Sequence, residues 1–138
     1  MSIPSKKVLN YLGTMDAQKD DLEDVYSSED YWAFGVTRKP ISSEPMIRFI
    51  KANGQEKSLA YSHLYEMDFD ANVGIKLGFT EHVIELRGRG LHYGCQRISS
   101  HRVLFVAEAD RPTAVLVADG EAVITEIVIT HKRELLHG

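Results

Sequence analysis

The chain has 138 residues, a formal net charge of −4, 43% hydrophobic residues and 26% charged residues. This composition is ordinary for one soluble globular domain, and the negative balance argues against a general attraction to nucleic acid or to an anionic membrane. No stretch approaches the roughly 18 consecutive apolar residues of a spanning helix. The first residues lack the apolar core of a signal peptide, so we expect a cytoplasmic protein with no membrane partner.

Residues 1–44 differ in character from the rest of the chain. The segment from Asp16 to Asp24 is strongly acidic and has only a narrow apolar edge. This pattern predicts an N-terminal arm that is helical or loosely ordered, with a solvated charged face. The alternative is that the acidic face docks a basic partner. Two prolines in residues 38–45 indicate a connector to the next segment.

An aromatic run at residues 31–36 contains the single tryptophan of the chain. The run predicts a short strand. Tyr31, Trp32 and Phe34 are candidates for a protein interface, because large rings are enriched at interface hot spots. The alternative is that the three rings pack in the core or at a sheet edge.

Residues 45–110 carry the strongest strand and turn signals. Ile47 and Phe49 share one side of an alternating segment, and Asn53 with Gly54 then predicts a tight hairpin turn. In residues 64–69, Tyr65 and Phe69 fall on one side and acidic residues on the other, as in a strand with one wet face. Further alternation predicts antiparallel strands at residues 57–61, 75–79 and 82–87.

The period then changes from two to that of a helix. Leu91 and Ile98 lie on one side of a predicted helix over residues 91–100. Residues 103–107 are apolar on both sides and predict a buried strand. Residues 113–130 predict a C-terminal hairpin that turns at Asp119 and Gly120. Its apolar sides, with Ile127 and Ile129 as candidate interface residues, predict that the hairpin joins the central sheet or pairs with another subunit.

These elements predict an α+β protein. We expect a small antiparallel β-sheet or a partly closed β-barrel of about six to eight strands, covered by one short helix. Residues 1–44 form the arm and residues 45–138 the β-rich core, and the length favours one single domain overall.

The best candidate for a ligand site is the segment Arg87, Gly88, Arg89 and Gly90, named here the glycine–arginine corner. It follows a strand and opens a helix, which is where anions bind in many proteins. We expect a phosphate or another acidic group to contact this corner and the neighbouring His92. The alternative is that the glycines only allow a sharp turn and that both arginines face solvent.

No other pattern indicates catalysis, a metal or a cofactor. The six histidines lack metal-binding spacing, and His101 is placed to interact with the end of the helix. Cys95 is the single cysteine of the chain, so an internal disulfide is excluded. Its position favours the role of a small residue packed in the core. Glu66 and Asp68 share the wet side of a strand, and Ser62 lacks the glycines of a nucleophile turn.

Three functions follow from these patterns. The first is a non-enzymatic module that binds a protein partner or forms a homo-oligomer through the aromatic run and the C-terminal hairpin. The second is a small-molecule or anion binder, or an enzyme, that uses the glycine–arginine corner. The third is single-stranded nucleic-acid binding on a sheet surface, through stacking rings and basic residues at Tyr61, Tyr65, Phe69, Arg48 and Lys76. The net charge argues against this third function.

Overall fold

A computed structural model describes residues 31–39 and 45–135 of the chain. The predicted acidic arm in residues 1–30, most of the predicted connector, at residues 40–44, and the last three residues lie outside this part. The described strands are β1 Phe34–Val36, β2 Met46–Ile50, β3 Glu56–Ala60, β4 Leu64–Asp70, β5 Gly74–Phe79, β6 His82–Arg89, β7 Val103–Ala107 and β8 Val123–His131. The described helices are α1 His92–Ser99, α2 Arg111–Leu116 and α3 Lys132–Leu135, with a 3₁₀ turn at Tyr61–His63.

The predicted α+β class is confirmed, with eight described strands in two four-stranded sheets that are not closed into a barrel. Sheet I has the order β1-β7-β2-β3, and sheet II has the order β4-β5-β6-β8. Sheet II is antiparallel throughout. Sheet I contains one parallel pair, β2 with β7, whose connection includes all of β3 to α1. None of the helices in the described part is long and apolar enough to cross a membrane.

The hairpin between β2 and β3 forms where the sequence predicts it. Gly54 has a φ of +94°, a conformation that suits glycine because it has no Cβ. Lys51 N donates to Gln55 O at 2.8 Å and closes the turn. Because β2 then has a fixed register, Ile47 and Phe49 both point into the core, where each is fully buried.

Helix α1 packs between the two sheets. An added Cβ on Gly94 would lie 2.2 Å from Phe34 Cζ, so the absence of a side chain lets the helix approach sheet I. On the other side, Cys95 Sγ lies 3.6 Å from Met67 Sδ of β4 in sheet II. The predicted apolar stripe is confirmed at its two ends, since Leu91 and Ile98 are buried.

The prediction of a strand in the first arm of the C-terminal hairpin is wrong, because residues 111–116 form helix α2. Asp110 caps this helix by accepting from Thr113 N at 2.8 Å, and Pro112 lies in the first turn. A capping aspartate followed by a proline is a helix start signal, and it outweighs the apolar alternation of the residues that follow. The second arm forms β8, which pairs with β6 in sheet II.

A bulge in β8 explains why Ile124 and Ile127 are both buried on the same side. Gly88 of β6 pairs with Ile124 while Arg87 pairs with Glu126, so Thr125 is the extra residue on β8. An inserted residue reverses which side of the strand faces the core. As a result Ile127 joins the buried side beyond the bulge, although it is three residues from Ile124.

Two side chains join sheet I to β8 of sheet II. The buried Tyr31 hydroxyl donates to Ala107 O at 2.7 Å and accepts from Ile124 N at 2.9 Å. The Glu108 carboxylate accepts from Ala52 N at 3.0 Å and from Ile127 N at 2.6 Å. These bonds, together with Ala109 N to Ile124 O at 2.8 Å, fix β8 against the end of sheet I.

Candidate functional site

The glycine–arginine corner lies where β6 ends and the chain turns into α1. Gly90 has a φ of +69°, which allows the sharp change of direction before Leu91. An added Cβ on Gly88 would lie 2.0 Å from Val123 O, so β8 passes directly over this position. Glycine is therefore required here by backbone contact, which agrees with the structural alternative considered for the glycines.

The two arginines of the corner have different electrostatic surroundings. Arg87 forms ion pairs with Glu126 at 2.8 Å and with Glu85 at 3.5 Å. These carboxylates neutralise much of its charge toward an incoming anion. Arg89 instead donates from Nη2 to Val117 O at 3.2 Å, and no carboxylate of the described residues forms an ion pair with it.

Two open pockets meet at this corner. The larger holds about 380 Å³ and is lined by Asn72, Val73, Arg87, Gly88, Arg89 and Thr125. The smaller holds about 230 Å³ and is lined by Phe69, Asp70, Ala71, Gly74, Gly88, Arg89, Gly90, Leu91 and His92. Gly88 and Arg89 line both pockets, so one bound molecule that contacts Arg89 has access to both surfaces.

The smaller pocket presents a pair of rings. The ring of His92, at the start of α1, lies 5.2 Å from the ring of Phe69 on β4, centroid to centroid. His92 Nε2 also contacts Gln96 Nε2 at 3.3 Å, one turn along the helix. The pair gives this pocket an aromatic wall beside the carboxylate of Asp70.

The structure brings together all five residues predicted for the ligand site. It adds three residues that the sequence did not place at this site, namely Phe69, Asn72 and Thr125. Asn72 lies in the β4–β5 turn, and Gly88 N donates to Val73 O at 3.3 Å, which holds that turn against β6. Thr125 is the bulged residue of β8, and its hydroxyl donates to Arg87 O at 3.2 Å.

The residues predicted for an interface do not form an exposed surface. Tyr31, Trp32 and Phe34 are each at most 3% exposed, and Ile127 is fully buried. Ile129 is partly buried and packs against the same core. The core-packing alternative therefore holds for the aromatic run, because β1 pairs with β7 inside sheet I.

The residues considered for nucleic-acid stacking do not share a surface. Tyr61 is 2% exposed, and its hydroxyl donates to Val103 O at 2.7 Å and accepts from Val103 N at 3.0 Å. Burial raises the pKa of this phenol. Arg48 lies in sheet I and pairs with Glu56, so it is on a different sheet from Tyr65 and Phe69.

Other candidate groups have structural surroundings. Burial raises the pKa of the Cys95 thiol, which lowers the thiolate fraction that a nucleophile needs. His101 has a φ of +58° and stacks on the Tyr61 ring at 4.5 Å. Across the described ranges, no group of three or more histidine, cysteine or acidic residues is arranged to hold a metal ion.

A histidine pair marks the opposite end of sheet II. His82 and His131 are directly opposed on β6 and β8, and their ring centroids lie 4.9 Å apart. Burial lowers the pKa of His82 below 6.5, and the charges of Lys57 and His131 lower it further, against the opposite effect of Glu81 and Glu134. Because the folded pKa lies below the unfolded pKa, protonation favours the unfolded chain.

We therefore expect a pH-dependent component of stability that belongs to His82. This component is fully present above pH 6.5 and is lost as the pH falls through the folded pKa of His82. Urea unfolding between pH 8 and pH 5 measures it, as the difference between the parent and His82→Gln. Identical pH profiles for the two proteins would contradict the assignment.

No family model, no curated protein and no solved structure matches the chain.

Proposed function

We propose that this protein binds a small molecule that carries an anionic group, a carboxylate or a phosphate, at the glycine–arginine corner. The observation that supports this proposal is the position of Arg89. Its guanidinium lines both pockets and has no ion-pair partner among the described residues, whereas Arg87 is already paired with two glutamates.

The chemistry of Arg89 suits an anion. A guanidinium has five N–H donors, and Val117 O takes one of the contacts at the corner. That contact also restrains the side chain, so less conformational entropy is lost when an anion binds. Hydrogen bonds to charged groups contribute about 1.5–3 kcal/mol each.

The two pockets suit different parts of such a ligand. The larger pocket adds the amide of Asn72 and the hydroxyl of Thr125, and no carboxylate lines it. The smaller pocket contains Asp70, which repels an anion, together with the rings of Phe69 and His92. The anionic group is therefore placed in the larger pocket, and an apolar portion of the ligand in the smaller one.

Replacement of Arg89 tests this assignment. We expect Arg89→Ala to weaken the binding of inorganic phosphate and of benzoate by about tenfold to a hundredfold, from lost charge-assisted hydrogen bonds. Titrations followed by ¹H–¹⁵N spectra of the full chain measure the affinity, with shifts expected at Asn72, Gly88 and Gly90. For the parent, a dissociation constant on the order of 1 mM is expected for these minimal probes.

Two further variants make the result specific. Arg133→Ala removes the same charge from exposed helix α3, away from the lining of both pockets, and should leave both affinities unchanged. Arg87→Ala should weaken binding less than Arg89→Ala, because Glu126 and Glu85 partly neutralise Arg87. Equal affinities in Arg89→Ala and the parent would exclude this site.

The remaining functional hypotheses have less structural support. The rings of the aromatic run are buried, so they offer no surface to a protein partner. The proposal is for binding, since the described residues present no nucleophile and base arranged for catalysis. A cytoplasmic location stays a prediction from the sequence.

A further inference from the structure

The two edge strands of sheet II, β8 and β4, differ in whether their outer backbone groups have hydrogen-bond partners. At β8, Tyr31 accepts from Ile124 N, Glu108 accepts from Ile127 N, and Ala109 N donates to Ile124 O. The outer backbone groups of β8 at Ile124 and Ile127 thus have partners from sheet I and from the segment that follows it. This part of the edge is closed to a further strand.

The edge at β4 is open. Among the described strands, β4 pairs with β5 alone, and five of its seven residues are exposed. In the part of the chain that the structure describes, the backbone of residues 65–69 forms no hydrogen bonds beyond those of the ladder with β5. An exposed strand edge of this length presents unpaired N–H and C=O groups that a further strand can use.

The side chains of β4 give this edge two distinct faces. Phe69 is 39% exposed and lies on the side that also carries Met67, whereas Tyr65, 62% exposed, is the extra residue at a bulge between Leu64 and Glu66. The other side carries Glu66, Asp68 and Asp70, all exposed, and none of them forms an ion pair with a described residue.

The neighbouring strand offers little charge to balance this acidic side. Across β5, Glu66 and Asp70 are opposed by glycines, and only Asp68 faces a cation, Lys76. Lys76 also lies opposite a second carboxylate, that of Glu85, its register partner on β6. The open edge therefore has an acidic border.

We propose that the β4 edge binds an extended segment of another protein, with basic residues at alternate positions and apolar residues between them. The segment adds a fifth strand to sheet II. Its basic side chains lie beside Glu66, Asp68 and Asp70, and its apolar side chains lie beside Met67 and Phe69, in the manner of β-strand addition.

Charge is the reason for choosing this partner over a second copy of the chain. Antiparallel pairing of β4 with its own copy, centred on Met67, places Glu66 opposite Asp68 twice. Like charges directly opposed across strands are destabilising. The acidic border therefore works against self-pairing and in favour of a basic strand.

Synthetic peptides test the proposal with the full chain. The probe is an acetylated, amidated peptide Lys-Val-Lys-Phe-Lys-Val-Lys, and the first control replaces each lysine with glutamate. A second control keeps the lysines and replaces the three apolar residues with proline, which retains the charge but cannot form a ladder. Fluorescence anisotropy gives affinities, and ¹H–¹⁵N spectra locate the bound peptide.

The expected result is binding of the probe with shifts at β4 and β5. Both control peptides should bind at least about tenfold more weakly, and affinity for the probe should fall as salt is raised. The double variant Glu66→Lys with Asp68→Lys should also bind the probe at least about tenfold more weakly than the parent does. The matched variant Asp119→Lys with Glu121→Lys makes the same charge change in an exposed turn and should bind as the parent does.

Three outcomes would overturn the proposal. Equal binding of the proline peptide would mean non-specific charge attraction, and shifts away from β4 would mean another surface. A concentration-dependent dimer in sedimentation equilibrium, with β4 amides protected from hydrogen exchange, would assign the edge to a second copy. Arg89→Ala should bind the probe normally, so this proposal and the anion site can fail separately.

Discussion

Gly88→Ala is expected to destabilise the fold by at least about 3 kcal/mol, the upper part of the range for overpacking. The added Cβ would lie 2.0 Å from Val123 O and 3.0 Å from Ile124 Cα. These are backbone atoms, so no side chain can rotate away to relieve the contact. Strand β8 cannot shift readily either, because the Tyr31 hydroxyl and Ala109 N hold Ile124 from the other side.

Urea unfolding monitored by tryptophan fluorescence measures this loss. The matched control is Gly54→Ala, where nothing lies within 4 Å of the added Cβ and only the φ of +94° is unfavourable. Gly54→Ala should destabilise the fold by about 1–2 kcal/mol, because alanine is strained in the left-handed conformation. If both variants lost the same stability, the close approach of β8 to Gly88 would be wrong.

Tyr31→Phe is expected to cost about 2–4 kcal/mol, although it removes a single oxygen atom. The hydroxyl is the partner of both Ala107 O and Ile124 N, at 2.7 and 2.9 Å, in a buried setting. Without the hydroxyl, Ala107 O and Ile124 N, which lie on different sheets, each lose a hydrogen-bond partner. Leaving a buried polar group unpaired in this way costs about 1–3 kcal/mol.

Thermal unfolding and amide hydrogen exchange test this second expectation. Exchange at Ile124 should accelerate more than exchange at the centre of β5, because the lost bond is local to the join between the sheets. Tyr65→Phe is the matched control, since the Tyr65 ring is 62% exposed and its hydroxyl contacts only Lys132 at the surface. A loss in Tyr31→Phe no larger than in Tyr65→Phe would refute the bridging role.

The candidate ligand site was predictable in its continuous part. Arg87, Gly88, Arg89, Gly90 and His92 are adjacent in sequence, and the change from strand to helix period locates them at one corner. Phe69, Asn72 and Thr125 come from two other segments. Only the pairing of β4 with β5 and the bulge in β8 bring those residues to the corner.

The difference between the two arginines is also a tertiary result. Arg87 and Glu126 are 39 residues apart, and they meet only because β6 pairs with β8. Similarly, Arg89 reaches Val117 because α2 ends beside β6. From the sequence the two arginines are equivalent candidates, whereas in the structure Arg87 has two ion pairs and Arg89 has none with a described residue.

The predicted interface failed for a related reason. Alternation shows that Ile127 and Ile129 share a side of a strand, but it does not show what covers that side. Aromatic residues are typical of both cores and interfaces, so Tyr31, Trp32 and Phe34 could be assigned to a core only once β1 was paired with β7. The exposed rings, Tyr65 and Phe69, occur instead on a strand whose outer edge has no neighbour in the described part.

The sequence by itself determined the α+β class, the β2–β3 hairpin, the position of α1 and the alternation of side chains along β2. These properties depend on contacts between near neighbours, where period, turn residues and glycine conformation act directly. The tertiary structure alone decided the division into two sheets, the parallel pairing of β2 with β7, and the contrast between a β8 edge that is covered at Ile124 and Ile127 and a β4 edge that no described strand covers. Those features depend on pairings between distant segments, whose free energy comes from the whole packed core, and no local pattern encodes it.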